Sequence, residues 1–115
     1  MQIFDIIFKP KTMNYNSKIS ISKLSVIGAG QIGPDIALHF AKSLSSSGIQ
    51  VNIVDISEEA LEKAKAKAYK KIQKAVETGA FKPELAEKIK NAMVFSSNYE
   101  NVRGSQLVIE AATED

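Results

Sequence analysis

Short β-branched runs alternate along this chain with segments of helical period. Leu24-Ser25-Val26-Ile27 predicts a strand, and the stretch after it repeats apolar residues at Ile36, Phe40 and Leu44, with Ala37 and Ala41 alongside. Gly48 stops that helix, and Val51-Asn52-Ile53-Val54 predicts a second short buried strand. Ser57 suits an N-cap, and Glu58 and Glu59 complement the positive end of a long helix. Leu61, Ala64, Ala68, Ile72 and Val76 mark its inner face, and Thr78-Gly79 ends it. A further helix starts at Pro83 with Leu85 and Ile89 inward, so the two form a helical hairpin between strands. Met93-Val94-Phe95 predicts a third strand, 98–103 a turn or short helix, and 107–112 a fourth strand. Strands separated by helices predict an α/β domain with a parallel sheet.

The link between the first strand and its helix carries the chemistry. It reads Gly28-Ala29-Gly30-Gln31-Ile32-Gly33-Pro34, a G-x-G-x-x-G turn set between strand and helix. The first glycine permits a tight turn, the second lets backbone approach a pyrophosphate, and the third lets helix and strand pack closely. Free N–H groups at the helix start then face the phosphates. Pro34 suits the first helical turn, where its missing N–H is no loss. A lone glycine turn is weak evidence, but this one has its strand, its helix and an acid in place. Asp55 closes the second strand about 20 residues past the turn, where a dinucleotide-binding βαβ unit holds ribose hydroxyls. Ile56, Ser57, Glu58 and Glu59 follow, with no arginine to receive a 2′-phosphate, so the pattern predicts NAD over NADP. The predicted architecture is a Rossmann-type, doubly wound parallel sheet of order 3-2-1-4 with the hairpin inserted. In that order Ala112, Thr113 and Glu114 fall near the nicotinamide end of the cofactor.

Composition narrows the alternatives. A chain of 115 residues allows one domain, small for a complete dehydrogenase. A net charge of +2 gives no electrostatic footprint for nucleic acid. No cysteine occurs, which excludes disulfides, thiolate catalysis and cysteine-ligated metal, and no metal site is expected. No apolar run reaches membrane-spanning length, and the start of the chain is not a secretory signal, so the expectation is a cytoplasmic protein without a membrane partner.

Residues 1–22 lie outside the nucleotide-binding pattern, leaving 23–115 as a partial NAD-binding domain. The simpler reading of 1–22 is a flexible extension, and the alternative is a swapped or docking strand. On the simpler reading the fourth strand is an apolar sheet edge guarded only by Glu110, open to self-association. His39, the only histidine, lies off the apolar stripe and reads as a solvated surface residue. Asp35 sits in the first helical turn near the pyrophosphate position, with its side chain expected to turn away. Lys63, Lys67, Lys70, Lys71 and Lys74 make a basic face on the long helix. That face is either a solubilising surface or a contact for an anionic ligand tail.

Taken together, the glycine turn, Asp55, the lysine-rich insertion and Leu107-Val108-Ile109-Glu110-Ala111-Ala112-Thr113-Glu114-Asp115 resemble the start of 3-hydroxyacyl-CoA dehydrogenases. The resemblance runs from about Leu24 to the last residue. It implies NAD contacts from Gly28, Ala29, Gly30, Gln31, Ile32, Gly33, Asp55, Ala112, Thr113 and Glu114. It also implies an acyl-CoA substrate whose CoA moiety lies beside the insertion, near Lys71 or Lys74, and a homo-oligomeric intact enzyme. Two positions depart from the family pattern: Ile32 stands where methionine is usual, and Asp35 where glycine is usual. The family's catalytic histidine and its glutamate partner belong beyond the segment ending at Asp115, so no catalytic residue is assigned here. The expectation is the cofactor-binding part of an oxidoreductase of fatty-acid metabolism. The alternatives are a stand-alone NAD-binding or regulatory module, or one half of a split dehydrogenase.

Overall fold

The computed structural model describes residues 2–8, 21–45 and 48–113. Its elements in chain order are β1 (Gln2–Phe8), β2 (Lys23–Ile27), α1 (Gly33–Ser43), β3 (Gln50–Val54), α2 (Glu58–Glu77), α3 (Pro83–Ala92), β4 (Met93–Ser96) and β5 (Leu107–Thr113). A 3-10 turn, Tyr99–Val102, lies between the last two strands. The sheet order is β1-β5-β2-β3-β4. Strands β4, β3, β2 and β5 are parallel, as the expected order 3-2-1-4 requires.

Strand alternation sorts each β-residue to one of two faces. Leu24 and Val26 of β2, Val51 and Ile53 of β3, and Leu107 and Ile109 of β5 form one core with helix residues Ala37, Ala41, Leu61, Ala64, Ala68, Ile72 and Ile89. In α1 the fully buried apolar side chains are Pro34, Ala37 and Ala41, while Ile36, Phe40 and the C-cap Leu44 are half-buried flanks. Small residues at the centre of the contact let the helix axis approach the sheet closely.

The opposite face mixes apolar residues such as Val54 with buried polar ones, and the polar ones are satisfied. Ser25 and Asn52 are fully buried. The Ser25 and Ser105 hydroxyls are 2.7 Å apart, and Asn52 donates to Ser25 and accepts from Gln50. The Gln106 side-chain oxygen accepts from the backbone N–H groups of Ser22 and Lys23, which sets where β2 begins. Among the described residues, no buried side-chain nitrogen or oxygen lacks a partner. Each bond here closes a group that would otherwise cost about 1–3 kcal/mol buried and unpaired.

The expectation of a flexible segment over 1–22 is corrected for part of its length. Gln2–Phe8 forms strand β1, antiparallel to β5 through seven residue pairs from Gln2↔Thr113 to Phe8↔Leu107. The expected bare edge of β5 is therefore covered. The physical reason is that Ile3, Phe4, Ile6, Ile7 and Phe8 are strong β-formers, and β5 offers a full row of unpaired backbone groups. Residues 9–20 of the same segment lie outside the described residues.

Removal of residues 1–20 is expected to lower Tm and to make the protein self-associate with rising concentration. Each kcal/mol lost is worth roughly 4–8 °C in a domain of this size. Thermal melts and multi-angle light scattering across a concentration series check this. A truncated chain that stays monomeric and melts like the full chain would show that β1 does not protect the edge.

Candidate functional site

The site is built where the carboxyl ends of β2 and β5 meet, the point at which strand order reverses and doubly wound sheets bind their ligands. Gly28 leaves β2 with φ +108°, a conformation that side chains rarely adopt. Its N–H donates to the Val54 carbonyl at 2.8 Å, which ties the turn to the end of β3. A Cβ at Gly28 would collide with the Ala111 carbonyl oxygen of β5, and one at Gly33 with the Gly28 carbonyl oxygen. The first and third glycines are thus fixed by backbone on backbone. No side chain, however flexible, could yield to make room.

Asp55 holds the other wall. One carboxylate oxygen accepts from the Ala29 N–H at 2.8 Å, and the other from the Ser57 N–H at 2.9 Å. Ser57 then caps α2 by accepting from the Ala60 N–H at 3.1 Å. A single acid therefore fixes the glycine turn and the start of α2 relative to each other. Its oxygens keep lone pairs for ribose hydroxyls, since each carboxylate offers about four acceptor sites.

Beyond the turn, Ile36 N–H is the first in α1 to close a helical bond, to the Ile32 carbonyl. Among the described residues, the N–H groups of Gly30, Gln31 and Ile32 donate to no protein acceptor, so they remain free for phosphate oxygens. Asp55, the free N–H row and the space kept open by the glycines fit a dinucleotide.

A cleft of about 540 Å³ opens between this turn and α2, lined by Ala29, Gly30, Gln31, Pro34, Ser57 and, along α2, Glu59, Ala60, Lys63, Ala64 and Lys67. Of the expected cofactor residues, Gly28, Ala29, Gly30, Gln31, Ile32, Gly33 and Asp55 are brought together around the turn. Ala112 and Thr113 are placed at the end of β5, next to the strand that runs into Gly28. Glu114 lies outside the described residues. Lys71 stands beside the site, paired with Asp35. Lys74 is almost a turn further along α2, and among the described residues no acid lies within ion-pair reach of it.

Sequence reasoning put Lys63 and Lys67 on a basic face of α2 that could meet an anionic ligand tail, but did not place that helix as a wall beside the glycine turn. The signal was present: Ala60, Ala64 and Lys67 follow Asp55 at i, i+4 and i+7, one helical face starting just after the acid. His39 is exposed, packs its ring edge-on to Phe40, and does not line the cleft. Among the described residues no group of three or more metal-ligating side chains occurs, and no helix is long and apolar enough to cross a membrane.

Comparison with known proteins agrees with this geometry. Residues 23–115 match the family model described as 3-hydroxyacyl-CoA dehydrogenase, NAD binding domain. The fatty acid oxidation complex subunit alpha of Shewanella loihica is 30% identical over 96 residues, covering 84% of this chain and 13% of that protein. The 3-hydroxybutyryl-CoA dehydrogenase of Mycobacterium tuberculosis is 27% identical over 96 residues, covering 84% of this chain and 32% of the relative. The solved structure of (S)-3-hydroxybutyryl-CoA dehydrogenase from Ralstonia eutropha superposes with a TM-score of 0.74 at 28% identity, again over 84% and 32% of the two chains. The chain thus spans about an eighth to a third of the length of these relatives. Strand β1 precedes the matched region. With its glycine turn, Asp55 and sheet order all in place, the chain belongs to the family of NAD-binding domains of 3-hydroxyacyl-CoA dehydrogenases, and its cofactor is NAD.

Proposed function

We propose that this chain forms the cofactor half of an enzyme that interconverts a 3-hydroxyacyl-CoA and NAD with the 3-ketoacyl-CoA and NADH. The observation that carries the reading is the Asp55 carboxylate, tied to Ala29 of the glycine turn and to Ser57 at the start of α2, both of which line the cleft. NAD held there would supply the hydride acceptor for C3 of the hydroxyacyl group. The chain's own contribution is to bind and orient. Asp55 takes the adenosine ribose hydroxyls, and the N–H groups of Gly30, Gln31 and Ile32 face the pyrophosphate. Ala112 and Thr113, with Glu114 after them, belong on the nicotinamide side. The base that takes the hydroxyl proton is not assigned to any residue of this chain. Lys71 and Lys74 are proposed to lie near the CoA moiety. Homo-oligomerisation of an intact enzyme, and a cytoplasmic setting where NAD and acyl-CoA thioesters are both at hand, belong to the same proposal.

One observation favours a second reading, a stand-alone NAD-binding module or one half of a split enzyme. Strand β1 occupies the β5 edge on which the next strand of a doubly wound sheet would pair. The chain's sheet is thereby closed on that side by its own residues.

NAD is expected to bind more tightly than NADP by about 2–4 kcal/mol, because a charged acceptor favours two ribose hydroxyls and repels a 2′-phosphate. Calorimetric titration with both cofactors measures the difference, and equal affinity or a preference for NADP would sink the assignment. In Asp55→Asn the NAD affinity should fall about tenfold or more while the gap to NADP narrows. A merely structural defect would weaken both cofactors alike.

The purified 115-residue chain, given acetoacetyl-CoA and NADH, is expected to show no loss of NADH absorbance above background. His39 is outside the cleft, and no other histidine exists in the chain. Turnover well above background would mean that a residue within 1–115 supplies the proton, and the division of labour proposed here would fail.

A further inference from the structure

One acid on α1 faces two lysines on α2. The Asp35 carboxylate binds the Lys71 ammonium through one oxygen and lies 3.6 Å from the Lys67 ammonium through the other. Lys67 also donates to the Gln31 carbonyl at 3.1 Å, inside the glycine turn itself. The three charged groups are between 43% and 48% exposed, so water screens them only in part. Lys63, the other lysine lining the cleft, has its own counter-ion in Glu59 at 3.2 Å. The basic face of α2 that borders the cleft is therefore largely neutralised from within.

Resting on the cofactor-half reading above, we propose that Asp35 is a specificity-determining residue, an internal competitor for the anion that Lys67 and Lys71 would otherwise take. While its carboxylate holds both ammonium groups, a phosphate of a polyanionic ligand such as CoA must share or displace it. The effect is selective by charge. CoA carries several phosphate charges, whereas the pyrophosphate of NAD is partly offset by the nicotinamide cation. Asp35 thus lowers the affinity for CoA more than that for NAD and keeps the cleft from filling with free CoA. It acts through the lysines and needs no contact with either ligand.

Asp35→Asn tests this well, because it removes the charge and leaves an acceptor that still tethers the lysines. Titrations of the full chain with CoA and with NAD are compared at low and high salt. Asp35→Asn should bind CoA about three- to tenfold more tightly at low ionic strength, as expected for one partly exposed charge among close neighbours. The gain should vanish near 0.5 M salt, where the Debye length falls to about 4 Å. NAD affinity should rise by a smaller factor than CoA affinity, because the single pyrophosphate of NAD, set beside Gln31 and Lys67, gains less from the freed lysines than the several phosphate charges of CoA. Asp35→Glu should behave like the parent chain, and Lys67→Gln/Lys71→Gln should abolish the gain when combined with Asp35→Asn. Unchanged or weaker CoA binding in Asp35→Asn would overturn the proposal, as would a gain that survives loss of both lysines or no measurable CoA binding in either protein. Melting curves of each variant separate a charge effect from a folding defect. Failure of NAD to bind the parent chain would count against the cofactor reading, which these CoA comparisons do not decide.

Discussion

Three stretches of backbone meet at Gly28, and the site depends on how closely they approach. The carbonyl of Ala111 in β5 presses on Gly28, and the carbonyl of Gly28 presses on Gly33 at the start of α1. A glycine costs roughly 0.5–1 kcal/mol in backbone entropy relative to alanine, whereas forcing a methyl into a filled space costs typically 1–3 kcal/mol. The glycines are the cheaper solution at both places. Because β2, α1 and β5 are drawn together here, the free N–H groups of the turn and the end of β5 come to one side of the sheet. Close packing and the proposed phosphate cradle are the same feature seen from two directions.

Asp55 shows a second economy of parts. If it served only the ribose contact proposed above, its carboxylate would wait on solvent until a nucleotide arrived. Instead it accepts from Ala29 and Ser57, two backbone donors on different elements. Bonds to an ionised acceptor are about twice as strong as neutral ones, so the acid holds the turn and α2 in place before any ligand binds. The cleft is thereby pre-organised, and less ordering entropy opposes binding.

The parts of the fold that follow from local pattern were legible in the sequence. The period-3.6 face of α2 at Leu61, Ala64, Ala68 and Ile72 is the buried face, and the four parallel strands stand where the β-branched runs placed them. Asp55 was legible because its distance from the glycine turn is fixed by one βαβ unit. What escaped reading depends on partners distant along the chain. Asp35 and Lys71 are 36 positions apart, and nothing in the local pattern of either says that α1 and α2 will cross with those side chains facing. The polar lining of the second sheet face escaped for the same reason, since Ser25 finds Ser105 across 80 positions. Strand β1 was readable as apolar and β-compatible, but not its destination. Its partner lies at the far end of the chain, and the loop-closure entropy that such pairing must offset leaves no mark on local composition.

That distant pairing has a consequence for how the domain extends. An edge strand can accept one neighbour, and β1 already uses the outer row of β5 hydrogen-bonding groups along its whole length. In the order 3-2-1-4-5-6 of a complete doubly wound sheet, a parallel strand stands at that place. The two arrangements exclude each other, because both draw on the same N–H and C=O groups. They also differ in polarity: β1 runs antiparallel, with Gln2 opposite Thr113, so the beginning of the chain lies beside the end of β5 where the site is built. Any longer sheet built on this chain must therefore release β1 or grow from the β4 edge. The sheet that positions the glycine turn is complete on the β5 side only while the first residues of the chain remain in place.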